Sequence, residues 1–120
     1  MKPRALGSHM VREHFRDRSP AVTAIYRAVL VAARKLGRVS EDPKKTSIHL
    51  VRRTAFAGVA TRRDSLVLTL KAQTDVRSRR ISKRERLSAH RWYFYVRLTA
   101  PGQVDRQLKQ WLRQSYDLAG

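Results

Sequence analysis

The residues best suited to chemistry are two tyrosines, Tyr93 and Tyr95, in the run WYFYVRLT that ends at Thr99. Side chains two residues apart on a strand point to the same face of a sheet, so both rings would share a face with Arg97. Aromatic rings stack on nucleobases, and neighbouring cations bind phosphates. The spacing therefore predicts a nucleic-acid-binding platform, although tyrosine is also a favoured packing residue on half-exposed strands.

A second candidate is the run RSRRISKRER from Arg77 to Arg86, which holds six basic residues and one acid. It suits contact with a phosphate backbone, and it equally suits a solvated surface. The pattern leaves open whether it is a mobile loop or an edge strand, where charge protects against aggregation. The candidate binding residues of the platform and this run are His49, Arg53, Lys71, Tyr93, Tyr95, Arg97, Arg77, Arg79, Arg80, Lys83, Arg84 and Arg86.

Catalytic groups are sparse in the sequence. His49 and His90 could act as acid and base at a phosphodiester, with a cation such as Lys71 stabilising the anion, but His49 could equally hydrogen-bond on an open face and His90 lie in a turn. The chain has no cysteine, and its few histidines cannot build a sulfur-rich zinc site. No P-loop or nucleophile elbow is present. We therefore assign no catalytic residue, no metal and no cofactor.

Charge is the strongest compositional signal, with 27 Lys and Arg against 9 Asp and Glu, a net charge of +18 in 120 residues. The opening MKPRALGSHM predicts an expression-vector remnant at residues 1–9. Without Lys2 and Arg4, 25 basic and 9 acidic residues remain, which is a net charge of +16. Self-repulsion at this density opposes folding, whereas an anionic partner converts the charge into affinity. Nucleic acid or another polyanion is the predicted partner class.

A second class of function stays open. In this alternative the chain is a small-ligand or protein-interaction domain with no nucleic-acid role, and its charge serves solubility or follows from the composition of its genome. That hypothesis predicts a concave pocket near His49, Phe56 and Trp92 and a basic surface that is spread evenly.

Periodicity predicts the elements that would position these residues. A helix is expected from Ser19-Pro20 to about Leu36, before Gly37, and a final helix from about Val104. Two-residue alternation predicts strands at 46–53, 54–61, 65–72 and 92–99, with residues 38–45 as a polar connection.

This order predicts one α+β domain at residues 10–120. It would have two layers, a helix, an antiparallel meander of about five strands and a helix, with both helices packed on one sheet face and the other face open. No apolar run approaches the ~20 residues that span a membrane. We therefore expect no membrane partner and a cytoplasmic location.

The run KKTSIHLVRR from Lys44 to Arg53, followed by AFAGV and later by Arg91-Trp92, resembles a bacterial family known only as a domain of unknown function. The resemblance covers about Phe15 to Leu118 and implies no activity. The element order is more distantly similar to the small frataxin-like domains, which include a protein described as a bacterial iron chaperone. That resemblance implies iron handling through an acidic ridge, which a chain of this positive charge does not offer.

Overall fold

The computed structural model describes residues 9–120. The predicted vector remnant lies outside the described residues apart from His9. The helices are α1 (Pro20–Arg34) and α2 (Arg106–Leu118), with short 3-10 turns at Val11–Phe15 and Pro101–Gln103. The strands are β1 (Ser40–Pro43), β2 (Ile48–Val51), β3 (Ala55–Thr61), β4 (Leu66–Ala72), β5 (Ile81–Ser88) and β6 (Arg91–Leu98). The predicted α+β class is confirmed.

Helix α1 begins where the sequence predicts, because Pro20 needs no hydrogen bond at the first helical position after the extended Ser19. It ends at Arg34, three residues before Gly37, whose φ of +154° is in a region that side chains rarely adopt. A Cβ at Gly37 would also clash with the hydroxyl of Tyr116, which donates a 2.9 Å hydrogen bond to the Arg38 carbonyl. The turn after α1 is therefore fixed against α2.

The sheet has six antiparallel strands rather than about five, in the order β1-β2-β3-β4-β6-β5. The additional strand is β1, which lies in the segment predicted to be a polar connection. Its sequence, Ser-Glu-Asp-Pro, has no apolar alternation, and it pairs with β2 through its backbone from Ser40↔Val51 to Pro43↔Ile48. Proline is tolerated at an edge strand, so Pro43 does not prevent the pairing.

The simple meander also ends after β4. The next strand along the chain, β5, does not pair with β4 but lies at the sheet edge. The strand after it, β6, lies between β4 and β5 and pairs with both. The alternatives for the basic run are thereby decided: Arg77 to Arg80 precede β5, and Lys83 to Arg86 lie on this edge strand.

One face of the sheet is buried and the other is partly exposed. Along β4, Leu66, Leu68 and Leu70 are buried, whereas Val67, Thr69 and Lys71 are half-exposed. The buried side chains of the sheet form one core cluster with apolar residues of both helices, including Ile25, Val29, Leu108 and Leu112. We call the half-exposed face, which includes His49, Thr69, Lys71, Tyr93 and Tyr95, the open face.

Pairing between β3 and β4 stops at Ala57↔Leu70, next to a bulge in the β2–β3 register. At the bulge Leu50 pairs with Ala57 and Val51 pairs with Ala55, so Phe56 is the extra residue of β3. Its side chain turns into the core, where the ring packs edge-on to Tyr116 at a centroid distance of 5.0 Å. The Lys71 amide and the Phe56 carbonyl are joined through Ser115 of α2. The Ser115 hydroxyl accepts from the Lys71 N–H at 2.9 Å and donates to the Phe56 carbonyl.

We predict that Ser115→Ala lowers the free energy of unfolding by at least about 2 kcal/mol, because a buried backbone group left without a partner costs ~1–3 kcal/mol. Ser65→Ala is the matched control, since Ser65 is equally buried and its hydroxyl has no hydrogen-bond partner within residues 9–120. Removing that hydroxyl should be neutral or stabilising. Chemical denaturation measures both variants, and equal losses of stability would contradict the bridging role.

Candidate functional site

A concave pocket of about 240 Å³ lies on the open face beside the point where β3–β4 pairing ends. Small residues of β3 that face this side leave the hollow, namely Ala55, Gly58 and Ala60. Gly58 is not at the bulge, because it pairs regularly with His49 and Thr69. A Cβ added at Gly58 would lie 3.6 Å from the Thr69 Cβ, which is an ordinary contact. Glycine is therefore not needed here to avoid a clash, and its lack of a side chain leaves the hollow open.

The strand register arranges the side chains in and beside this pocket in two rows. One row runs across the sheet through His49, Gly58, Thr69, Tyr95 and Lys83. The other contains Lys71, Tyr93 and Glu85. Four of the predicted binding residues, His49, Lys71, Tyr93 and Tyr95, therefore line one pocket.

Tyr95 is held in place from the edge strand. Its hydroxyl donates a 2.6 Å hydrogen bond to Glu85, and the Lys83 ammonium lies 5.3 Å from its ring centroid. The hydrogen bond to Glu85, burial and the negative charge of Glu85 raise the pKa of Tyr95 to about 12. A cation over a ring adds about 0.5–1 kcal/mol at an exposed site. The edge strand thus fixes the ring orientation while the ring stays half-exposed.

Lys71 lies in the pocket wall, and no acid of residues 9–120 forms an ion pair with it. Desolvation by the surrounding sheet and the positive charge of Arg91 both lower the pKa of the Lys71 ammonium. Among the ion pairs of residues 9–120, none includes Lys71, Lys83, Arg91 or Arg97. No acid of the described residues therefore neutralises these four cations of the open face.

Arg91 is a cation beside the pocket that was not predicted from the sequence, and it does not line the pocket itself. It stands two residues before Tyr93, and the same two-residue spacing that linked Tyr93 and Tyr95 places it on the open face. The sequence contains this information, because the alternation that joins Tyr93, Tyr95 and Arg97 also includes Arg91 at the start of the strand.

The basic run does not form one patch, because most of its cations are engaged elsewhere. Arg80 donates to Asp105 at 2.8 Å and to the Gln103 carbonyl at 2.7 Å, and lies 5.8 Å from the Trp111 ring. Asp75 pairs with Arg77 at 3.0 Å and with Arg84 at 2.9 Å.

The other three basic residues of the run, Arg86, Arg79 and Lys83, lie in three different environments. Arg86 donates to the Ser88 carbonyl at 3.1 Å and lies 5.8 Å from the Trp92 ring. Arg79 is exposed before β5. Lys83 alone is the register partner of Tyr95.

Other predicted residues lie apart from the pocket. Arg53 lies in the turn after β2, where its amide bonds the Ala119 carbonyl at 3.2 Å, and it is not on the predicted strand. Arg97 is exposed on the open face of β6, opposite Val67. Trp92, expected in the alternative pocket, does not line this one.

The structure does not bring His49 and His90 together. His49 is on β2, and His90 is in the turn before β6, with β3 and β4 between. Three strand spacings of about 4.8 Å separate them by roughly 14 Å or more, too far for one acid–base pair at a single bond.

Metal-ligand clusters and membrane-spanning helices are both absent from the described part of the chain. Within residues 9–120, no three His, Asp or Glu side chains meet in a group that could hold a metal ion. Neither α1 nor any other helix described is long and apolar enough to cross a membrane.

We predict that Glu85→Ala lowers the pKa of Tyr95 from about 12 toward its ordinary value near 10, because the accepting carboxylate is removed. The stabilisation by this hydrogen bond is complete below pH ~10 and is lost as the pH rises toward 12. NMR of ring-labelled tyrosines resolves Tyr95 from Tyr26, which bonds Glu41 and serves as the internal control. A Tyr95 pKa unchanged by the substitution would contradict the hydrogen bond.

Comparison with known proteins gives the chain a family. The family model described as domain of unknown function (DUF5655) matches residues 11–119. Neither the curated proteins nor the solved structures contain a significant match. The bacterial origin and the frataxin-like resemblance stay predictions. The match spans nearly the whole chain, so this protein belongs to the DUF5655 family.

Proposed function

We propose that this domain is a non-catalytic binding module for single-stranded nucleic acid. One base would enter the pocket of the open face and stack on Tyr93 and Tyr95. The flanking phosphates would meet the unpaired cations of the same face.

The observation that supports this most is that two tyrosine rings and Lys71, which has no ion pair among the described residues, line one hollow. Both tyrosines are half-exposed beside Lys71 and His49 in a pocket of about 240 Å³. That volume is below the roughly 300–1,000 Å³ of pockets for drug-sized ligands, so it suits one base-sized group. An unstacked base offers such a group, whereas the bases of a duplex are already stacked.

Charge supports the same proposal. Lys71, Lys83 and Arg97 on the open face have no ion pair among the described residues, so no acid there neutralises their charge. Phosphates that displace counterions from such a face gain affinity that decreases with salt.

The proposal includes the finer arrangement of the layers, in which α1 and α2 cover the same sheet face. The shared core cluster and the insertion of Ser115 between β3 and β4 support it, because both bring helix residues against the buried side of the sheet. A cytoplasmic location fits a nucleic-acid ligand and stays a prediction.

The small volume of the pocket favours a second candidate, a small aromatic anion such as a free nucleotide. The two candidates differ in how affinity depends on length. A strand that follows the open face gains affinity with added nucleotides, whereas a small-ligand site binds a mononucleotide as tightly as an oligonucleotide.

We predict that Tyr93→Ala and Tyr95→Ala each weaken binding of a labelled single strand about tenfold, because stacking of one base contributes ~1–3 kcal/mol. An oligonucleotide of about 12 nucleotides lies within the ~4–16 nucleotides that small single-strand-binding domains cover. Fluorescence anisotropy measures the Kd. Leu87→Ala is the control, since Leu87 is an exposed apolar residue of the edge strand and is absent from the pocket lining. No binding at low salt would overturn the proposal.

We predict that the double variant Lys83→Gln and Arg97→Gln reduces the salt dependence of this binding, by about 0.7 in the log–log slope for each phosphate that the variant no longer neutralises. The variant Arg106→Gln and Arg113→Gln removes the same charge from exposed positions of α2. It should leave the slope unchanged. Equal slope changes in both variants would mean that only net charge matters.

A further inference from the structure

Arg91 has a buried donor without an acceptor. The neighbouring Trp92 side chain belongs to the opposite face, where it packs against the core. Arg91 therefore points to the open face, and its Nη1 is buried without a hydrogen-bond partner within residues 9–120. A buried charged donor left unsatisfied is costly, so an acceptor from outside the chain would stabilise this arrangement.

A second cation adjoins this guanidinium. The Cα register pairs Lys71 with Tyr93, and Arg91 is two residues from Tyr93, so Lys71 and Arg91 are diagonal neighbours. Such neighbours are about 7–8 Å apart between Cα atoms, within reach of two long side chains. Desolvation lowers the pKa of the Lys71 ammonium most, and the nearby positive charge of Arg91 lowers it further.

Glu85, the acid in the same row of the sheet as Lys71, is already engaged. Glu85 is the register partner of Tyr93 on the far side of β6, and its carboxylate accepts from the Tyr95 hydroxyl. Neither Lys71 nor Arg91 takes part in an ion pair among the described residues. Two adjacent, partly desolvated cations repel each other unless an anion is shared between them.

We propose that Lys71 and Arg91 form a phosphate-binding subsite at the Tyr93 end of the pocket. On phosphate binding the guanidinium would turn so that two of its N–H groups, including the one now buried, bond phosphate oxygens, and the ammonium would bond a third. The identity of the phosphate as part of a nucleotide, with its base on Tyr93 and Tyr95, rests on the proposed function. The phosphate subsite itself does not.

The subsite predicts which ligands the open face prefers. A nucleotide offers both the base and the phosphate, whereas a nucleoside offers the base alone. Binding should therefore be at least about tenfold tighter for a nucleoside monophosphate than for the matching nucleoside, since hydrogen bonds to charged groups contribute ~1.5–3 kcal/mol each.

The test titrates the full chain with adenosine monophosphate, adenosine and inorganic phosphate at constant ionic strength. NMR follows the side-chain signals of Arg91 and Lys71, and calorimetry gives the Kd values. Arg91→Gln should bring the nucleotide and nucleoside affinities within about twofold of each other. Arg91→Lys, which keeps the charge but not the fork, should give an intermediate ratio. Arg113→Gln on α2 is the charge-matched control and should keep the full ratio.

The outcomes separate the subsite from the proposed function. Shifts of Arg91 and Lys71 on addition of inorganic phosphate support the subsite even if oligonucleotides do not bind, which would overturn the proposed function alone. Oligonucleotide binding with equal nucleotide and nucleoside affinities in the unchanged chain would overturn the subsite alone. If Arg91→Gln fails to fold, Lys71→Gln together with the phosphate titration of the unchanged chain decides the question. Absence of shifts at both side chains overturns the subsite.

Discussion

The geometry of this domain depends on one serine of the last helix. The bulge between β2 and β3 turns Phe56 into the core, and pairing of β3 with β4 begins only at the next residue, Ala57. That interruption would leave a buried N–H on Lys71 and a buried carbonyl on Phe56. The Ser115 hydroxyl bonds both, and so it binds α2 to the sheet at the place where the strands separate. The pocket lies on the opposite side of this same place, where small residues of β3 leave space.

The distribution of charge has an equally local cause. The chain has only nine acids for 27 basic residues, so the position of each acid decides which cations are neutralised. Asp75 and Asp105 pair with arginines near the start of β5, and Asp105 also caps α2 through the Leu108 amide at 3.1 Å. The hydrogen bonds from Arg80 and from that amide hold the pKa of Asp105 below its ordinary value. On the open face Glu85 accepts from the Tyr95 hydroxyl, and Lys71, Lys83 and Arg97 have no ion pair among the described residues.

The sequence could predict the sheet faces because apolar and polar residues alternate along β4 and β6. It placed His49, Lys71, Tyr93 and Tyr95 together for that reason. It could not predict β1, whose pairing uses only backbone groups, nor the order in which β6 lies between β4 and β5. Alternation states which way a side chain points and not which strand is its neighbour. Alternation could not predict the ion pairs of Arg80 and Arg84 either. The partner of Arg80, Asp105, is 25 residues away, and the partner of Arg84, Asp75, lies outside the strands.

The central claim is that a single strand binds on the open face through the pocket. The most direct test is NMR mapping of an isotope-labelled chain with an unlabelled single-stranded oligonucleotide at low salt. Binding there predicts the largest shifts at Gly58, Thr69, Lys71 and the rings of Tyr93 and Tyr95, with little change at exposed positions of α2. Shifts that follow exposed arginines over the whole surface and leave Gly58 and both rings unchanged would contradict it.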